Sequence, residues 1–404
     1  MRYVSKTWKK MIVRAPPLSA AGFAATTISF GPARMGFGLF VPEFRTAFSM
    51  STSSVGLVSS IGFSGFLAGL LGAQALLRRW GPEAPVLLGL IAATIGMSVI
   101  AMAPSITVLA FGVFCASSSA GFTWTPFNDA VHRKVMDGNR PAALSTISTG
   151  TSVGIALAAL AALAVSQSGW SWRASWALFA VASFGVLIVN WSTLRKVEKA
   201  PDAIRVTTPW RRFLGARALS LFAIAFVMGT TSAIYIAFAA DQMTQAGGVA
   251  GLSRATTPAL VFFVYGLFGV TGLFTGRLYK LVGLALLLRG AMMAGAVSAA
   301  FVVLLPGTWF ALVLSAGLQG IHVMMISAVI AFWSERLYPA RPSLGFTITL
   351  LCMAAGNVLG PVAAGFASDA YGARPMFLGS GAFAFLTAVL LRRRHLVARR
   401  ETGE

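Results

Sequence analysis

Long apolar runs separated by short polar stretches cover most of this 404-residue chain. A membrane-spanning helix needs about 20 mainly apolar residues to cross a hydrocarbon core roughly 30 Å thick. The pattern therefore predicts an all-α polytopic membrane protein. Twelve runs reach the required length, and we number them as spans one to twelve, at residues 18–42, 53–77, 85–103, 106–130, 142–166, 172–194, 216–240, 256–279, 284–305, 308–332, 344–368 and 372–391.

The longest polar connection, at residues 195–215, lies near the middle of the chain. It predicts a cytoplasmic linker between two bundles of six helices, at 18–194 and 216–391. Residues 1–17 and 392–404 are predicted as cytoplasmic tails, the first of them uncleaved because the apolar run after it is too long for a signal peptide.

The two halves resemble each other in sequence. Gly81, after span two, lies 202 residues before Gly283, after span eight. The stretch "RPAALSTISTG" from Arg140 lies 201 residues before "RPSLGFTITLL" from Arg341. Duplicated helical bundles are typical of secondary transporters, in which the two halves move about a central site.

The composition agrees with a bilayer environment. Hydrophobic residues make up 57% of the chain and charged residues 11%, which leaves too little polar surface for a soluble protein. The net charge of +21 is distributed unevenly: 27 of the 32 basic residues fall in segments predicted as cytoplasmic, and four fall in predicted outer loops. This asymmetry follows the positive-inside rule, and it predicts an inner-membrane protein with both termini in the cytoplasm that does not bind nucleic acid.

Cofactor and enzyme chemistry have no sequence support. Cys115 and Cys352 lie in apolar segments without nearby metal-binding residues, and we interpret them as packing residues. The chain shows no nucleophile and base pair and no phosphate-binding loop. We therefore expect no cofactor, no metal and no enzymatic activity, and we expect a monomer.

With six plus six spans and a basic central linker, the chain resembles the major facilitator superfamily, in a prokaryotic branch. The stretches Gln74–Gly81 and Gly276–Gly283 are similar to the loop signature G-x-x-x-D-R-x-G of that family. Arg78 and Lys280 stand where the signature has its acid, which puts the usual cytoplasmic gate in doubt because a cation cannot accept the acid's hydrogen bonds. The residues predicted for cytoplasmic gating are Arg78, Arg79, Asp129, Gly276, Lys280, Gly283 and Glu335.

A second motif lies in span eleven. Residues Gly356–Gly365 read "GNVLGPVAAG", similar to a motif that antiporters of this family carry in span five. In span five this chain has only Gly150 and Gly154 and no proline. We interpret these glycines as points of close helix contact and Pro361 as a bend.

Arg34 lies inside the apolar run of span one, two residues after Pro32. A charged side chain at this depth is costly and is usually functional. Gly31 and Gly38 share its helix face and are expected to clear space beside the guanidinium. The alternatives are that Arg34 faces a central cavity, reaches the membrane interface, or binds carbonyls freed by Pro32.

A buried guanidinium needs an anion. No acidic residue lies deep in a span, and Glu43 and Asp241, near the outer face, are the acids that could reach Arg34. If neither does, a substrate carboxylate is the simplest partner, because the planar guanidinium binds a carboxylate through two hydrogen bonds.

The family resemblance implies that spans one, four, seven and ten line the substrate site. His322 of span ten could also bind and release a proton, since its unperturbed pKa is about 6.5. The predicted substrate-binding residues are Arg34, Phe37, Trp124, Asn128, Tyr235, Gln319 and His322, and the predicted proton-coupling residues are His322 and Asp241.

The leading hypothesis is a proton-coupled symporter that moves a small organic anion by alternating access. The first alternative is an antiporter that exports apolar drugs, and the second is a membrane sensor that does not transport.

Overall fold

The computed structural model describes residues 17–195, 216–338 and 342–391, and these residues contain helices and no strands. The predicted tails, most of the linker and the side chain of Glu335 lie outside the described part of the chain. Helices are the expected result, because a lipid-exposed segment must satisfy its backbone hydrogen bonds internally.

The first half follows the predicted spans closely. Span one is a broken helix built from Pro17–Phe30, Gly31–Met35 and Gly36–Leu39, and the short helix Val41–Phe48 follows it. Spans two to six correspond to the helices Thr52–Trp80, Glu83–Met102, Ile106–Lys134, Arg140–Gln167 and Trp172–Leu194.

The second half begins with span seven, Ala216–Gln245. Span eight consists of Thr257–Gly269, the 3₁₀ turn Val270–Phe274 and the start of Thr275–Leu304. The rest of Thr275–Leu304 is span nine, and spans ten to twelve are the helices Trp309–Leu337, Pro342–Tyr371 and Ala373–Leu390.

Ten helical stretches in the described chain are long and apolar enough to cross a membrane. One of them, Arg254–Leu304, contains the predicted spans eight and nine. Gly283 interrupts the helix between these two spans, with a φ of 76° and a ψ of 168°. The first span is too fragmented to count as one long helix. With these two differences, the twelve predicted spans all correspond to helices.

The break in span one follows from its sequence. Residues Gly31–Met35 form a π-helical turn with Pro32 near its start. Proline has no backbone N–H and cannot continue the α-helical hydrogen bonds, and single π-turns inside helices are frequent at functional sites. The turn changes the direction of the side chains that follow Pro32, among them Arg34.

The described chain groups into two compact units. The first runs up to Phe37 and resumes at Ser64, and the second contains Gly38–Phe63 together with the C-terminal half. The end of span one and the start of span two therefore group with the second unit, although the linker divides the sequence at 195–215. The predicted division into two bundles at the linker stays a prediction.

Each unit uses glycines in the same two ways. Gly81 and Gly283, paired by the sequence repeat, both have a left-handed φ, of 75° and 76°, which a side chain would strain. Gly154 of span five lies against the carbonyl of Thr27, and Gly356 of span eleven lies against the carbonyl of Phe226. The prediction that these glycines allow close helix contact is confirmed in both units.

Candidate functional site

Arg34 lies in the π-helical turn of span one. Arg34 is half-buried, whereas every other residue from Ile28 to Val41 is buried. Its guanidinium carbon lies 4.0 Å from the ring centroid of Phe66 in span two and 5.5 Å from that of Phe30. We call Arg34, Phe30, Phe66 and the adjoining Trp124 the Arg34 cluster.

Trp124 of span four joins the cluster through Phe30. The two rings meet edge to face, with centroids 5.5 Å apart. Phe30 and Phe66 are 7% and 2% exposed, so they shield one side of the guanidinium from water. A guanidinium binds aromatic rings through its flat face and a carboxylate through its edge, so the two contacts are compatible.

The prediction that Gly31 and Gly38 clear space for Arg34 is wrong. A β-carbon on Gly31 would collide with the backbone of Gly154 in the first unit, and one on Gly38 would collide with the carbonyl of Ile236 in the second. Both glycines serve close helix packing. The π-helical turn changes the phase of the helix between them, which a regular α-helical pattern does not anticipate.

Two further residues predicted to bind substrate lie near this cluster in sequence. Asn128 follows Trp124 by one helical turn on span four, and both side chains are half-buried. Phe37 is buried at 4% exposure. The structure brings Arg34 and Trp124 into one cluster, and the binding roles of Asn128 and Phe37 stay predictions.

Tyr235 of span seven lies in the interior of the second unit. Its hydroxyl shares a hydrogen bond of 3.1 Å with the hydroxyl of Ser315, and its ring stacks on Tyr265 with centroids 6.4 Å apart. Ser315 and Ser298 each donate a hydroxyl hydrogen bond to the other's backbone carbonyl. Tyr235 thus contacts spans eight and ten directly and is linked to span nine through Ser315, and its predicted contact with substrate stays a prediction.

Gln319 and His322 lie one turn apart on span ten and are 2% and 0% exposed. His322 Nδ1 lies 2.8 Å from the carbonyl oxygen of Ala291, so this nitrogen carries the hydrogen and donates it. Among the described residues, His322 Nε2 and Gln319 Nε2 are buried and have no hydrogen-bond partner. Gly295 faces the imidazole and leaves room for it.

Asp241, the other residue predicted for proton coupling, binds an arginine. Its Oδ2 accepts hydrogen bonds from Arg45 Nε at 2.8 Å and from Gln245 Nε2 at 2.9 Å. Arg45 also donates to the carbonyl of Met50 and to the hydroxyl of Thr52. We call Arg45, Asp241, Gln245 and the neighbouring Glu43 the Arg45 cluster.

Glu43 lies one residue past the predicted end of span one, on the short helix Val41–Phe48. Its Oε2 is buried and has no hydrogen-bond partner among the described residues. Burial raises the pKa of Glu43, a backbone hydrogen bond opposes this shift, and the negative charge of Asp241 adds to it, so that the pKa is about 7. Glu43 is therefore partly protonated near neutral pH.

The residues predicted for cytoplasmic gating are mostly exposed in the structure. Arg78, Arg79, Gly276 and Lys280 are exposed, and Arg79 lies over the ring of Trp80. Asp129 forms an ion pair with Arg133 of its own helix at 2.5 Å. Their gating role stays a prediction.

The sequence analysis missed two participants. Phe66 carried no signal, since it is one of 30 phenylalanines and only the π-helical turn aims Arg34 at it. Arg45 was counted only as an outer-loop charge, although its partner Asp241 was a candidate. A search for acid and base residues at the outer ends of spans in both halves suggests that pair.

The comparisons with known proteins agree on the family. The Major Facilitator Superfamily profile matches residues 23–308. Monocarboxylate transporter 13 from Rattus norvegicus is 30% identical over 205 residues, which are 50% of this chain and 45% of that protein. The chain thus matches less than half the length of that curated relative.

Solved structures share the fold. A bacterial homologue of the human lysosomal transporter Spinster is 19% identical, with a TM-score of 0.72 over 94% of this chain and 98% of that chain. The nucleoside transporter NupG is 15% identical, with a TM-score of 0.70 over 93% of this chain and 97% of that one. The chain belongs to the Major Facilitator Superfamily and is a multi-pass membrane transporter.

Proposed function

We propose that this protein carries a small organic anion, most simply a monocarboxylate, across the cell inner membrane together with a proton. The observation that carries the proposal is the position of Arg34. It is a cation in a π-helical turn of span one, set against buried aromatic rings and only partly buried itself.

The chemistry of the Arg34 cluster suits a carboxylate with a short apolar body. The guanidinium edge offers parallel N–H donors to the carboxylate, and Trp124 and Phe30 offer apolar contact to the rest of the molecule. Low local polarity strengthens the charge interaction. The partial match to a protein named as a monocarboxylate transporter supports the same substrate class.

Proton coupling completes the proposal, because a proton that moves with the anion cancels its charge. The described chain offers His322, Asp241 and Glu43 as buried or half-buried titratable groups. The sequence duplication supports alternating access by the two halves, and the distribution of basic residues supports a cytoplasmic position for both termini.

Uptake of radiolabelled monocarboxylates into proteoliposomes with an imposed pH gradient tests the proposal. We expect Arg34→Gln to raise KM by about 30-fold or more, since loss of one partner of a buried charge pair costs about 2 kcal/mol or more. Arg34→Lys keeps the charge but loses the planar donor pair, and its KM is expected to lie between those of Arg34→Gln and the wild type.

The matched control is Arg254→Gln, which removes an exposed arginine from a predicted outer loop. It is expected to transport like the wild type. Equal accumulation by the wild type and Arg34→Gln contradicts the anion assignment. Drug export without any monocarboxylate uptake supports the efflux alternative, and binding without transport supports the sensor alternative.

A further inference from the structure

The Arg45 cluster contains two carboxyl groups and one guanidinium. Asp241 uses Oδ2 to accept from Arg45 and Gln245, and its side chain is 5% exposed. The three guanidinium nitrogens of Arg45 donate to Asp241, Met50 and Thr52. The cation of this cluster is therefore engaged by groups other than Glu43.

Glu43 is left in an unfavourable position for an ionised acid. Its buried Oε2 has no donor within hydrogen-bonding distance among the described residues, and Asp241 is close enough to add charge repulsion. An ionised carboxylate with a buried, unpaired oxygen is unfavourable, and binding a proton removes most of that cost. One ionised and one protonated carboxyl group would balance the single positive charge of Arg45.

The helix Val41–Phe48 carries both Glu43 and Arg45 and packs against span seven. Span seven carries Asp241, which pairs with Arg45 and repels the charge of Glu43. Asp369, at the end of span eleven, accepts a hydrogen bond from the backbone N–H of Ser53 and is exposed. These contacts join the segment after span one to the ends of spans seven and eleven within the second unit.

We propose that Glu43 is the proton-binding residue of this carrier, and that it holds its proton while Arg45 is bound to Asp241. If the Arg45–Asp241 contact opens, water reaches Glu43 and Arg45 becomes available to it, and both changes favour release of the proton. Proton binding and closure of the Arg45 cluster are thus linked. This assignment rests on the proposed proton coupling and names its residue.

Infrared spectroscopy of the purified full-length protein in lipid tests the site without any transport. Protonated carboxyl groups absorb separately from carboxylates, so a titration through pH 7 follows Glu43 directly. We expect a protonated carboxyl band that disappears with a midpoint near pH 7 and is missing in Glu43→Gln. Glu83→Gln, at the start of span three, is the matched control and should keep the band.

A second variant tests the link to Arg45. Asp241→Asn removes the competing carboxylate and leaves Arg45 available, so the midpoint of the Glu43 band should fall by about 1–3 pH units. A wild-type band that persists in Glu43→Gln, a wild type with no titrating band, or a midpoint unchanged in Asp241→Asn each overturns the assignment.

Transport separates this assignment from the proposed function. Glu43→Gln is expected to exchange labelled for unlabelled monocarboxylate across the liposome membrane, but to lose accumulation driven by the pH gradient. Glu83→Gln, the matched control, should keep that accumulation. If His322→Gln loses it and Glu43→Gln keeps it, the proton site is wrong while the anion carrier stands. If no variant or wild type moves a monocarboxylate, the proposed function fails even where the infrared band is present.

Discussion

Arg34 and Arg45 lie eleven positions apart in the chain, yet their surroundings differ in kind. Arg45, in the second unit, binds a carboxylate, a carbonyl and a hydroxyl of its own chain. Arg34, in the first unit, has its guanidinium over the rings of Phe66 and Phe30.

Under the proposed function, the difference separates a structural role for Arg45 from a ligand-binding role for Arg34. A guanidinium held by a buried carboxylate is fixed in place, and its charge is cancelled within the protein. Aromatic rings stabilise a guanidinium without cancelling its charge, and they contact its face while a planar anion binds its edge. We therefore expect substitutions at Arg45 to act on stability and substitutions at Arg34 to act on substrate affinity.

The largest expected effect is on stability at Arg45. Arg45→Ala leaves Asp241 buried without its cation, and we expect it to lower the free energy of unfolding by about 2–4 kcal/mol. Arg34→Ala should lower it less, because the rings that remain need no counter-charge. Unfolding midpoints of the purified variants in detergent measure both, with Arg254→Ala as an exposed control.

The double variant Arg45→Ala, Asp241→Asn sharpens this result. It removes the uncompensated acid, so it should be more stable than Arg45→Ala alone. If the double variant loses as much free energy of unfolding as the two single variants lose together, the ion pair contributes nothing to stability. The contrast between the two arginines would then be lost.

The next effect is a pH dependence of stability that arises at Glu43. Its pKa is raised from 4.5 to about 7 in the folded protein, so the folded state binds more protons than the unfolded state between these values. Stability from this group is complete below the lower value, falls as the pH rises, and is lost above about 7. Glu43→Gln should lack this slope.

Thermal unfolding across that pH range measures the effect as the difference between Glu43→Gln and the wild type. The unfolding temperature of Glu43→Gln should rise relative to that of the wild type as the pH rises, and this difference should level off above about pH 7. Glu83→Gln should track the wild type. Parallel curves for Glu43→Gln and the wild type would place the ionisation of Glu43 outside this range. The contrast between Asp241, which is paired with Arg45, and Glu43, whose Oε2 has no partner among the described residues, would then be lost.

Most of the fold was predictable because the bilayer imposes it. Runs of about 20 apolar residues have few alternatives to a spanning helix, and the repeat of Gly81 and Gly283 identified two turns of equal φ. The break in span one was harder to predict. Pro32 signals a distortion, but the choice of a π-helical turn over a simple kink depends on how the helix packs.

The candidate sites show the same limit. The sequence singled out Arg34 because a charge in an apolar run is rare, and it singled out Asp241 as an acid at a span end. It could not assign Arg45 to Asp241, because 196 residues separate them and only the fold brings them together. The contact of Arg34 with Phe66 depends on the phase of the helix after Pro32. A regular α-helical period, applied through the π-helical turn, assigns the residues after Pro32 to the wrong face of the helix.

The smallest effect, and the most specific to the Arg34 cluster, is expected at Phe66. Phe66→Leu keeps an apolar side chain but removes the ring 4.0 Å from the guanidinium carbon, which contributes about 0.5–1 kcal/mol. We expect KM for the monocarboxylate to rise about two- to fivefold with kcat unchanged, because the loosened guanidinium loses orientation and keeps its charge. Phe111→Leu, on the exposed face of span four, is the control for expression and folding.

Since tryptophan binds cations better than phenylalanine, Phe66→Trp should hold KM at or below the wild-type value if the ring fits. A KM that is unchanged in Phe66→Leu would mean that the aromatic ring does not orient Arg34, and the contrast between the two arginines would then rest on the ion pair of Arg45 alone.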